Sequence, residues 1–161
     1  MRKDNLIFFL LSVLLLLVFP HPLTAYATVP ISGGGTIADI EEPVTTLIRQ
    51  ANGILILQQT GAFMMDGAFS GTGDTNFIVI GDMSTGRLNL HGQATFNGNV
   101  GEASGSAVLA VVGRSDGTTF TVKFTIQGGT GGLSNLRGEG TVNVMPSGSA
   151  TYTVMYHFDP S

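Results

Sequence analysis

Along most of this chain an apolar side chain returns at every second position, a period that fits one face of an extended strand and no face of a helix. In TTFTVKFTIQ, residues 118–127, Phe120, Val122, Phe124 and Ile126 share one face, and Thr119, Thr121, Lys123, Thr125 and Gln127 share the other. ATYTVMYHFD, from Ala150, sets Tyr152, Val154, Tyr156 and Phe158 against polar neighbours. RLNLHGQATFN, from Arg87, divides Leu88, Leu90, Ala94 and Phe96 from Asn89, His91, Gln93 and Thr95. These segments read as half-buried antiparallel strands.

Other segments are apolar on both faces: GILILQQ from Gly53, NFIVIGD from Asn76 and GSAVLAVVG from Gly105. GAFMMDGAFS, from Gly61, gathers Phe63, Met65 and Phe69 on one side, and the alternation turns Asp66 to the other. VPISGGGTI, from Val29, is a glycine-rich first strand. Turn signals separate the segments: Asn52-Gly53, Gly71-Thr72-Gly73, Thr85-Gly86, Asn97-Gly98-Asn99, Asp116-Gly117 and Ser147-Gly148. Asp116-Gly117 suits the positive φ values of a type I′ hairpin turn. Residues 39–50 are the one helical candidate, but Pro43 interrupts them and Thr45 and Thr46 form helix poorly. The expectation there is a loop leading into a strand from about Thr45.

The count comes to eight or nine strands, about ten residues apart or slightly more. An open sheet of that size exposes two edges, and closing it into a barrel removes them. Glycines inside strands permit the coiling that closure requires. The expected fold is all-β, an antiparallel closed barrel of about eight strands, with a two-sheet β-sandwich as the alternative.

The start of the chain reads differently. Arg2 and Lys3 precede an apolar run over residues 6–19 broken only by Ser12; Pro20 and Pro22 follow, and Ala25-Tyr26-Ala27 fits a small-x-small cleavage site. This pattern predicts a secretory signal peptide over residues 1–27, cut after Ala27, and a single β-barrel domain over 28–161. The run is shorter than the ~20 residues that span a bilayer, so no stable membrane anchor is expected after cleavage. Cysteine is absent, so the exported domain stands on packing alone, with no disulfide, thiol nucleophile or cysteine zinc site. The remaining basic residues, Arg49, Arg87, Arg114, Lys123 and Arg137, are scattered singly, and the formal net charge is −4. No basic stripe suits nucleic acid or an anionic membrane surface.

GGTGGLSNLRGEGTVNV, from Gly128, holds the densest glycine. A phosphate loop needs a helix N-terminus behind its glycines and, in its usual form, a lysine. Here the strand TVNV follows and no lysine is present. A structural corner explains more: Leu133 and Leu136 share one face of a single turn and can plug a barrel end. Arg137 and Glu139 can pair, or Arg137 can reach backbone carbonyls. Leu133, Asn135, Leu136, Arg137 and Glu139 are therefore the candidate barrel-mouth motif. GTGGLSNLRGEGTV, followed by YTVMYHFD, resembles a family of small secreted barrels of unknown function with a GTG-x-L-x-NLRG-x-G pattern and a final aromatic strand. Those domains resemble the allene oxide cyclase barrel and, more distantly, dirigent proteins. The resemblance covers about thirty residues and implies an eight-stranded barrel, with no catalytic residue to carry over.

Chemistry is thinly signalled. His91 and His157 lie on polar strand faces, and His157 can pair with Asp159. No cluster suits a metal, no serine sits in a nucleophile elbow, and Asp66, Asp74 and Asp82 fall near turns or strand ends without a calcium-loop spacing. The expectation is no catalytic residue, no metal and no cofactor. Phe96, Phe120, Phe124, Tyr152, Tyr156 and Phe158 are the candidate cavity lining; their bulk either fills the interior or leaves room for one small ligand. Three functions are open. The first is an exported, non-catalytic barrel that binds a small apolar ligand or a protein partner. The second is a structural cell-envelope homo-oligomer, assembled through the outer faces of the doubly apolar strands. The third is an isomerase or cyclase of an apolar substrate, implied by the resemblance alone.

Overall fold

A computed structural model describes residues 28–116, 119–144 and 150–160. The expected signal peptide, residues 1–27, lies outside the described residues, as do Gly117 and the Ser147-Gly148 turn. Nine strands and no helix are present among the described residues: β1 (Ile31–Asp39), β2 (Val44–Ala51), β3 (Ile54–Gly67), β4 (Phe69–Asp82), β5 (Arg87–Val100), β6 (Ala103–Ser115), β7 (Phe120–Gly131), β8 (Leu136–Val144) and β9 (Ala150–Phe158). The loop expected to lead into a strand from about Thr45 does so: β2 begins at Val44, just after Pro43.

All pairings are antiparallel, in the order β1-β9-β8-β7-β6-β5-β4-β3-β2, and a further pairing of β1 with β3 closes the sheet. The result is an eight-stranded barrel with β2 as one extra strand outside the ring; the sandwich alternative is excluded because the sheet meets itself. Closure works because β3 changes partner along its length. Its first half pairs with β2, from Ala51↔Ile54 to Val44↔Thr60. Its second half pairs with β1, from Asp39↔Phe63 to Gly35↔Gly67.

The partner change also explains why β3 and β4 are apolar on both faces. Their segments from Ile54 and to Asp82 pair with each other beyond the ring and form a lip with β2. One lip face, with Leu57, Val79 and Leu90 side by side, continues the barrel interior. The other carries Ile56 opposite Ile80. At the lip's tip the Ser84 N–H and hydroxyl donate to Asp82 Oδ1 at 2.9 and 2.6 Å, which holds that carboxyl below the usual range.

Inside the ring, alternation places the side chains as the sequence implies. Phe63, Met65, Phe69, Ala94, Phe96, Leu109, Phe124 and Tyr152 are buried in one core. Asp66 and His91 are exposed. The two ends of the ring differ: one is packed with rings and leucines, and the other mixes rings with smaller side chains around a cavity.

Candidate functional site

The packed end is built from the glycine-rich corner. After β7 the chain makes successive tight turns, with Leu133 N–H donating to Thr130 O and Leu136 N–H to Leu133 O, both at 3.1 Å. These i→i+3 bonds put Leu133 and Leu136 on one side of the turn, and both are fully buried. Phe69 lies beneath them in the core, edge-on to Phe96, Tyr156 and Tyr152 at centroid separations of 5.5, 5.7 and 6.1 Å. Phe158 extends the cluster against Tyr156.

The Tyr152 hydroxyl ties this cluster to the β3–β4 corner. It accepts a hydrogen bond from the Phe69 N–H at 2.8 Å and lies 3.3 Å from Phe69 O and 3.4 Å from Asp66 O, to which it can donate. Replacing Tyr152 with phenylalanine removes a partner of a buried N–H, and is expected to lower stability by about 1–3 kcal/mol. The check is the urea midpoint, with an unchanged denaturant slope. Burial pushes the Tyr152 hydroxyl above its ordinary value of 10.0. In the unfolded chain it ionises near that ordinary value, while in the barrel it stays protonated to higher pH. Its contribution is whole below pH 10.0 and is lost as pH rises through the folded value. The phenylalanine variant should therefore show a shallower alkaline loss of stability.

The proposed barrel-mouth motif sits at this packed end. Arg137 does not bond to Glu139: its Nη1 donates to Leu136 O at 2.7 Å and Ser134 O at 3.3 Å, and its Nε lies 3.1 Å from Asp159 Oδ2. His157 Nε2 is 3.2 Å from Asp159 Oδ1, and Asn135 O accepts from the Asp159 N–H. Glu139 is exposed on the outer wall. The cluster is half open to water, so each ion pair contributes ~1 kcal/mol or less. Its geometry pins the C-terminal strand to the corner. Leu133 and Leu136 are fully buried at that end, and neither lines the cavity at the other end.

The opposite end holds a cavity of about 260 Å³. It exists because the inward positions there are small or short: Thr75, Ala94, Val111, Val122 and Val142 replace the rings of the packed end. Phe63, Phe77, Phe120 and Phe124 complete its walls. Asp39 and Val144 belong to the lining and are exposed, so the cavity reaches solvent. Thr75 Oγ1 donates to Gly61 O at 3.1 Å, which satisfies its hydroxyl. Among the described residues that line it, Asp39 is the one ionisable side chain. An apolar molecule can enter such a space; a paired acid and base are not among the residues that line it.

Of the six aromatic residues expected to line a cavity, Phe120 and Phe124 do so. Phe96, Tyr152, Tyr156 and Phe158 face the interior but pack the other end. The difference is axial position: period two says which side of the wall a residue faces, and says nothing of depth along the barrel. Ile37 and Asp39 escaped the sequence reading, although they are two apart on one face of β1, because the glycines before them and the acids after them mask the alternation. A larger hollow of about 510 Å³ lies on the outer wall, where Lys123, Thr125, Glu139 and Thr153 face water. It is a concavity of the sheet's outside. Among the described residues no three His, Asp or Glu side chains converge to hold a metal ion.

A family model described as a protein of unknown function (DUF3224) matches residues 63–156. A crystal structure of a protein with unknown function from the DUF3224 family, from Shewanella oneidensis MR-1, is similar in fold. It has a TM-score of 0.72 and 16% sequence identity, over 82% of this chain and 99% of that one. No curated protein matches the sequence.

Proposed function

This chain belongs to the DUF3224 family of unknown function, and on that premise we propose that its barrel is a container for one small apolar molecule, entered at the end opposite the glycine-rich corner. The observation that carries this is the apolar cavity of about 260 Å³ with a solvent-reaching rim. A container of this kind needs one closed end and one open one, and the aromatic and leucine packing around Phe69 supplies the closed end. Under the same reading the protein acts outside the cytoplasm, delivered by the signal peptide expected over residues 1–27.

The chain lacks tryptophan, so an apolar, neutral dye such as N-phenyl-1-naphthylamine reports binding against a clean background. The dye is expected to brighten with the wild-type protein. Ala94→Phe places a ring inside the cavity between Thr75 and Leu109, the cross-strand neighbours of Ala94, and is expected to weaken dye binding roughly tenfold or more. Circular dichroism of the variant checks that the barrel persists. Equal dye binding by both proteins would remove the cavity as the site.

A second reading, self-assembly, is favoured by β2. Among the described residues that strand pairs on one side only, and Val44, Leu47 and Ile48 on it are 65%, 54% and 54% exposed. Native mass spectrometry of protein from its own host separates the two: a reproducible added mass supports the container, and a discrete apo oligomer supports assembly. The likeness to allene oxide cyclase barrels would make the cavity an isomerase pocket, which requires a buried polar group. Asp39, at the exposed rim, suits binding better than that chemistry.

A further inference from the structure

We infer that the cavity selects an apolar molecule bearing a cationic or neutral polar head, and rejects one ending in a carboxylate, because Asp39 is the one charged side chain among the described residues that line it. The inference rests on the container reading and names the ligand class of that same site. Asp39 is the last residue of β1, on the inward face with Ile37, and its register partner is the buried Phe63. A ligand whose tail occupies the space beside Phe63, Phe77 and Phe120 would leave its head near this carboxylate.

Asp39 carries no ion pair among the described residues. Glu41 and Glu42, in the loop that leaves β1, add the same sign. Among the described residues no basic side chain lines the cavity, although Arg87 and Arg114 stand on the outer wall at the same end. Lys123 and Arg114 are exposed between inward-facing neighbours, Arg49 and Arg87 are exposed, and Arg137 is engaged by Asp159 at the packed end. A carboxylate head at the rim would meet like charge and an ammonium head its complement, an interaction that water and salt at the exposed rim screen in part.

The test uses three ligands of one chain length, decylammonium, decanol and decanoate, displacing N-phenyl-1-naphthylamine at pH 7 and low salt. The expected order of affinity is amine, then alcohol, then carboxylate, with amine and carboxylate separated by roughly tenfold or more, narrowing as salt is added. Asp39→Asn should collapse the separation to within about threefold. Glu102→Gln removes the same charge from the β5–β6 turn at the packed end, and should leave the separation intact, which distinguishes the rim carboxylate from the protein's general negative charge. Decanoate binding as well as decylammonium, or an order indifferent to Asp39→Asn, overturns the inference while the container stands. If the dye itself does not bind, the container reading fails and takes the inference with it.

Discussion

Phe69→Ala is expected to destabilise the barrel by about 3–5 kcal/mol, the range for emptying a fully buried ring site. Phe69 has no exposure and is edge-on to three other rings, Phe96, Tyr152 and Tyr156. Removing it strips contacts from all of them at once, beneath the Leu133–Leu136 turn. These neighbours sit on strands β5 and β9, which flank different parts of the ring, so they cannot collapse together into the gap. Urea unfolding followed by circular dichroism measures the loss. The same variant should leave dye binding at the open end close to wild type under native conditions, because Phe69 is not among the cavity's lining residues. A loss below about 1 kcal/mol would mean that the closed end is not packed as described.

The second large effect is expected at the seam. Gly35 faces Gly67 across β1–β3 and Tyr152 across β1–β9. A Cβ at Gly35 would collide with the Asp66 carbonyl and come within 3.0 Å of the Tyr152 ring. The main obstacle is backbone, which a rotamer change cannot move. Gly67 adds to the constraint: its φ of +110° is a conformation open to glycine and strained for other residues. Gly35→Ala is therefore expected to cost about 3 kcal/mol, at the upper end for overpacking, and Gly35→Val more. The diagnostic is local. Hydrogen exchange should accelerate first at the amides of β1 and the second half of β3, where five register pairs close the ring, while the β5–β6 ladder keeps its protection. Uniform acceleration would argue that the ring opens elsewhere.

The two variants probe different kinds of information. Phe69 was legible as an inward residue from Phe63, Met65 and Phe69 standing on one side of their segment. Gly35 was legible as a strand residue in a glycine-rich run and nothing more. Its role depends on which backbone crosses it, and that is set by β3 turning from β2 to β1 partway along its length. Ile56 and Ile80 show the same limit. Their segments read as apolar on both faces with nothing to say where they lie, and the structure places them in a lip that extends past the ring. The corner was read correctly as a tight turn with two leucines on one face; which end of the barrel it closed had no local signature.

What the sequence determined by itself was periodic and local: strands rather than helices, the inward and outward face of those that alternate cleanly, several of the turns, and a number of strands too large to leave open. Those follow from side-chain alternation and backbone preference, which act over a few residues. Gly71-Thr72-Gly73 and Asn97-Gly98-Asn99, which read as turns, lie side by side inside β4 and β5, where glycine lets neighbouring backbones approach closely. What only the tertiary structure decided was depth and partnership. The cavity owes its place to Ala94, Val111, Val122 and Val142 coming level around one ring, while Phe69, Phe96, Tyr152 and Tyr156 come level around another. Asp39 became a rim residue because its strand ends at that level. Strand tilt and register set those levels, and both are properties of the closed sheet as a whole.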